Sequence, residues 1–153
     1  MSKFSKKTFS IFSLDKDVGG ISNMIEQSTE IMSTVAKKIN LFVLDETNTA
    51  NSITNFFKNN KVVKVCKISF YEKLLLKFGI FSKKNKKKIL ESDIIFIHNH
   101  KLVKYLRSFL KLKPLIIFFH TDKKKQIYNL QNVTKVFTVN SHTESLINKI
   151  YSN

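Results

Sequence analysis

The chain is poor in the residues that usually punctuate a small protein. It has one cysteine, one proline, three glycines and no tryptophan, and among its 27 basic residues Arg107 is the only arginine. A single cysteine excludes a disulfide framework and a cysteine-based zinc site. Cys66 stands inside an apolar, strand-like run and reads as a small buried hydrophobe. With one proline and no low-complexity linker, nothing marks a boundary, so residues 1–153 read as one domain, large enough to bury a core. Lysine without arginine lacks the planar fork that reads bases or phosphates in a bidentate way, which argues against specific nucleic-acid recognition. No stretch approaches the roughly 20 apolar residues that span a bilayer. Lys3, Lys6 and Lys7 precede only a short apolar run broken by serines, with no small-residue cleavage pattern. A signal peptide is therefore not expected, and the expected location is cytoplasmic. A G-x-G-x-x-G fingerprint and a P-loop lysine motif are both absent.

What is present is apolar and basic. The hydrophobic fraction is 42% and the formal net charge is +16, which together describe a folded chain attractive to anions. The abundance of Lys, Asn, Ile and Phe also follows from an AT-rich coding sequence, a reading that carries no function.

Apolar runs of strand length alternate with amphipathic segments along the whole chain. Strands are expected at Thr8–Leu14, Leu41–Leu44, Lys61–Ile68, Asp93–His98, Pro114–His120 and Lys135–Val139. Helices are expected at Ile21–Lys38, Thr49–Asn59 and Lys101–Lys113, with a short helix or loop at Lys123–Gln131. The segment Phe70–Leu90 reads as two helical pieces broken at Gly79, and Ser141-His-Thr-Glu144 has the form of a capping box opening a last helix to about Tyr151. Short, fully apolar strands separated by helices predict an α/β, Rossmann-like doubly wound sheet, mainly parallel, of about six strands with helices on both faces.

Three stretches could carry function. Gly19-Gly20 stand between the first strand and first helix, where a ligand can approach the backbone and a helix N-terminus attracts anions; as a bare signal they equally make a turn. His98 and His120 end two successive apolar runs, which places both at the carboxyl ends of neighbouring parallel strands, the usual ligand side of such sheets. No carboxylate or cysteine stands at ligand spacing from them, so no metal site is expected. Phe70–Leu90 interleaves Leu and Phe with Lys83, Lys84, Lys86, Lys87 and Lys88. It is either a solvated lysine run beside a buried helix or a surface for anionic membranes, with generic nucleic-acid binding ranked last. His142 reads as a surface residue, and the role of His100 is open.

Together these residues resemble a family. Val18-Gly19-Gly20-Ile21, the strand Asp93–His100, the strand ending Phe118-Phe119-His120, and Val136-Phe-Thr-Val139-Asn140-Ser141 occur in the order and spacing seen in the N-terminal domain of family 4 glycosyltransferases of the GT-B type. The resemblance implies a nucleotide-sugar as donor substrate, no further cofactor and no metal. It implies that Gly19 and Gly20 lie near the donor phosphates, that His120 borders the transferred sugar as the catalytic residue, and that His98 and Asn99 line the acceptor side. It implies an envelope or lipid-linked acceptor, with peripheral attachment at the inner membrane face. The alternative is a non-catalytic binding module of the same fold that docks a partner chain or an anionic membrane. The donor-binding half lies outside these residues, so a C-terminal domain or a separate chain is the partner implied.

Overall fold

A computed structural model of the chain describes residues 7–14, 19–45, 47–98, 102–103, 106, 113–119, 133–138 and 141–151. Six strands, β1 (Thr8–Ser13), β2 (Lys38–Leu44), β3 (Val63–Ile68), β4 (Ile94–Ile97), β5 (Leu115–Phe119) and β6 (Lys135–Thr138), form one sheet in the order β3-β2-β1-β4-β5-β6. Every pairing is parallel. The helices are α1 (Gly19–Ser33), α2 (Asn48–Phe56), α3 (Phe70–Leu75), α4 (Lys83–Leu90) and α5 (Ser141–Tyr151), with a 3-10 turn at Leu76–Phe78 extending α3. The architecture is the α/β, Rossmann-like, doubly wound one expected.

The central strands are largely apolar and buried, whereas the edge strands β3 and β6 carry the exposed Lys64, Lys67 and Lys135. Alternate residues divide between two cores. Phe9, Ile11, Ile39, Leu41 and Val43 pack with Ile25 of α1 and Ile53 of α2 on one face. Phe12, Phe42, Cys66, Ile95 and Ile97 pack on the other, with Leu76 after α3, Ile89 of α4, Leu102, Val103, Leu106 and Ile147 of α5. Cys66 is buried at 4% exposure, as its surroundings in the sequence predict.

Element ends differ from the sequence reading where side chains settle a local contest. Strand β2 begins at Lys38, three residues before the expected Leu41, because Lys38, Ile39 and Asn40 continue the pairing with Thr8, Phe9 and Ser10. Helix α1 correspondingly stops at Ser33. Thr47 caps α2 by accepting from the Ala50 N–H at 3.0 Å while its hydroxyl donates to the Leu44 carbonyl at 2.9 Å. The break in Phe70–Leu90 falls at Gly79, whose φ of 69° is left-handed and suits glycine. Ser82 then caps α4 by accepting from the Asn85 N–H at 3.4 Å. Helix α5 already includes Ser141, so that serine lies in the first turn, one place beyond the capping position expected of it. Of the expected helix Lys101–Lys113 only residues 102–103, 106 and 113 are described, and the segment 123–131 lies outside the described residues.

At the amino edge of the sheet, Asp93 fastens β4 to β1. Its carboxylate accepts from the Thr8 N–H at 2.8 Å and pairs with Lys7 at 3.6 Å, while its own N–H donates to the Thr8 carbonyl at 2.8 Å. The Thr8 hydrogen bond, aided by Lys7 and Lys113, holds the Asp93 carboxyl below its ordinary value. A folded-state value lower than the unfolded one contributes stability that is present above the unfolded pKa and lost as pH falls through the folded one. The stability gap between the native chain and Asp93→Asn is therefore expected to stay below about 1 kcal/mol at neutral pH, this being an exposed pair, and to close below about pH 4. Urea titrations of both proteins at several pH values measure it.

Candidate functional site

Strand order reverses between β1 and β4, and in doubly wound sheets ligands bind in the crevice that opens there, beyond the carboxyl ends of the strands. Strand β1 reaches this edge at Leu14 and β4 at His98. The two are joined by the His98 N–H donating to the Phe12 carbonyl at 3.0 Å. Helix α1 opens on Gly19 and Gly20, five residues after Leu14, and its first N–H groups lack helical partners. A cation arrives from a third direction. Lys73, on α3 beyond the end of β3, donates its ammonium to the Leu14 carbonyl. The Lys73 ammonium is thus held at the carboxyl end of β1, the edge from which α1 starts, and positive groups at such an edge suit a phosphate or another anion.

The predicted residues separate on inspection. His98 stands at the crevice edge but is only 1% exposed, with its ring stacked on Phe118 at 4.6 Å and 11°. A ring so covered positions its strand and offers little surface to an acceptor. Gly19 and Gly20 form the first turn of α1, where the sequence pattern places them in a loop before the helix. Strands β4 and β5 are neighbours, as the His98–His120 pairing requires. His120 itself, with Asn99 and His100, lies outside the described residues. His142 is exposed on α5. Lys83, Lys84, Lys86 and Lys87 are exposed on α4. Lys88 turns inward instead: its ammonium donates to Asn85 Oδ1 at 3.3 Å and reaches the Cys66 sulfur at 3.0 Å. It sits 6.0 Å above the Phe42 ring, which removes it from the outward lysine face.

Lys73 is the site residue that sequence reasoning missed. In the sequence it is one lysine of a basic segment, and only the return of α3 over the sheet brings it to Leu14. A motif search could not have found it.

The stack at His98 continues outward. Phe118 stacks on Phe137 of β6 at 5.4 Å, and Lys135 lies 5.1 Å over the Phe137 ring. Phe118 packs on the same core face as Ile25 and Ile53, and at the outer end of the row Phe137 is 42% exposed. A cleft of about 310 Å³ lies between β6 and α5, lined by Val136, Phe137, Thr138, Glu144, Ile147 and Asn148. It is two strands from β4 and holds none of the predicted site residues. Among the described residues no group of three or more His, Cys, Asp or Glu could hold a metal ion, and no helix is long and apolar enough to cross a membrane. Comparison with protein-family models, curated proteins and solved structures finds no match to this chain.

Proposed function

We propose that the chain is the acceptor-side half of a GT-B type glycosyltransferase, which forms one wall of a cleft and contributes to transfer of a sugar from a nucleotide-sugar to an envelope or lipid-linked acceptor. The observation that supports it best is the Lys73 ammonium held at the end of β1, beside the His98 strand end at the switch point between β1 and β4, with α1 opening at Gly19-Gly20 just after β1. Fixed positive groups at this edge suit the diphosphate of a donor held mainly by a second domain. In this reading His120, next in the chain after β5, faces the transferred sugar, and Asn99 follows His98 toward the acceptor.

Two measurements test it. Amide resonances of Gly19, Gly20 and Lys73 are expected to shift when the isotope-labelled chain is titrated with uridine diphosphate or with inorganic pyrophosphate. Lys73→Ala is expected to weaken that binding about tenfold or more, the scale of one charged hydrogen bond. Shifts scattered away from this edge, or none, would remove the donor site. In the enzyme assembled with its donor-binding domain, His120→Ala is expected to abolish transfer without unfolding the chain, and unchanged turnover would remove the role given to His120.

A further inference from the structure

Cys66 is the chain's only thiol, and Lys88 approaches it in a way that a buried hydrophobe does not require. The Lys88 ammonium reaches the Cys66 sulfur at 3.0 Å, donates to Asn85 Oδ1 at 3.3 Å and lies 6.0 Å above the Phe42 ring. Asn85 is fixed in turn, since its Nδ2 donates to Glu72 Oε1 at 3.2 Å. The amine is therefore aimed at the sulfur from a held position.

A second observation lies beside the pair. Phe42 is the β2 partner of Cys66, and Asn40, two residues earlier, stands on the same face of β2, the one that α4 covers. Asn40 is fully buried, and neither atom of its amide has a hydrogen-bond partner among the described residues. Its β1 neighbour Ser10 is already engaged with Ser92 at 2.6 Å. A donor and an acceptor thus stand open in the core beside a thiol and an amine. Access is short as well. Strand β3 is an edge strand, and local opening of the eight-residue α4 is enough to admit a molecule little larger than water.

We propose that Cys66 and Lys88 form a covalent bridge in response to hydrogen peroxide, with Asn40 positioning the oxygen that is added to the sulfur. The Cys66 sulfur attacks one peroxide oxygen, the O–O bond breaks, and the thiol proton leaves with the other oxygen as water. Two electrons pass from sulfur to peroxide, and Cys66 becomes a sulfenic acid whose oxygen accepts from the Asn40 amide. Lys88, having released one proton to solvent, then attacks the sulfenic sulfur through Nζ. An S–N bond forms, the S–O bond breaks, and the departing hydroxide takes a second amine proton and leaves as water. The product is a sulfenamide that joins β3 to α4 and withholds the sulfur from further oxidation. Thiols reverse it. One opens the S–N bond as a mixed disulfide and frees the amine, and a second restores Cys66. The loop closed by the bridge spans 22 residues and carries Lys73, which bonds the Leu14 carbonyl, so oxidation is tied to the crevice edge. The consequence for a donor bound there rests on the transferase reading; the bridge itself does not.

Mass spectrometry of the full chain treated with hydrogen peroxide tests the proposal without donor or sugar. The intact chain is expected to lose two hydrogen atoms, and a digest made without reductant should contain the Cys66 and Lys88 peptides joined. Dithiothreitol should restore the original mass. Closing a loop of this length is expected to raise Tm by roughly 5–10 °C. Lys88→Arg keeps the charge but offers no free amine, so it should form no bridge and accumulate a sulfenic acid that dimedone traps. Lys88→Gln gives the same reading without the bulk of arginine. Asn40→Val is expected to slow bridging about fivefold, the scale of one hydrogen bond. Oxygen retained on Cys66 with no joined peptide overturns the proposal, as does resistance of the folded chain to peroxide. So does an equal yield of bridge in Lys88→Arg, which would place the linkage on another lysine. A native rate of bridging in Asn40→Val overturns the part given to Asn40.

Discussion

Replacing Phe42 with alanine is expected to cost about 3–5 kcal/mol of folding stability, a large share of what a domain of this size possesses. Phe42 is fully buried near the middle of β2, paired in register with Phe12 on one side and Cys66 on the other. Its ring stacks on Phe12 at 4.5 Å and 8° and meets Phe81, from the loop before α4, at 6.0 Å. The strands on both sides are backbone-paired, so the sheet cannot close around the vacancy and the cavity remains. The loss also takes away the ring beneath the Lys88 ammonium. Urea unfolding measures the total, and a double-mutant cycle with Phe12→Ala should show about 0.5–1.5 kcal/mol of coupling between the rings. A total below about 1 kcal/mol would mean that the core repacks, contrary to the rigidity expected of a six-stranded parallel sheet.

The second large effect has the opposite sign. Asn40 lies in β2 between Ser10 and Lys64 and is completely buried. Neither its Oδ1 nor its Nδ2 has a hydrogen-bond partner among the described residues. The polar neighbours on its face satisfy each other: Ser10 and Ser92 share a hydroxyl hydrogen bond at 2.6 Å, and the Ser92 hydroxyl also bonds the Lys88 carbonyl at 2.8 Å. A buried amide with no partner costs roughly 1–3 kcal/mol, and a β-branched residue of similar size suits a strand better. Asn40→Val is therefore expected to raise stability by about 1–2 kcal/mol, read as a rise in Tm of roughly 2–8 °C. A fall in Tm would show that an internal water serves the amide.

How much of this molecule could be read from the order of its residues varied with the range of the contact involved. The six strands and the helices described between β1 and β4 were legible because each is decided by neighbours a few positions away. Runs such as Ile94–Ile97 and Leu115–Phe119 are apolar on both faces, and the break at Gly79 needs only the freedom of one residue. Boundaries were less legible where the deciding partner is remote. Lys38 belongs to β2 because Thr8, 30 positions earlier, pairs with it.

The candidate site shows the same division. The sequence by itself placed Gly19-Gly20 between the first strand and the first helix and placed His98 and His120 after strands, since both depend on local periodicity; that the glycines already form the helix's first turn only the structure showed. Only the tertiary structure decided that β1 and β4 adjoin, that Lys73 reaches the end of β1, and that His98 is covered by Phe118. It also decided that Lys88 turns to Cys66 and that the apolar side of α3 faces outward. Sequence periodicity shows that a helix has two faces but not which one meets the sheet. That choice depends on the summed burial of residues far apart in the chain, and here Leu76 won the core and left Tyr71, Leu74 and Phe78 at the surface.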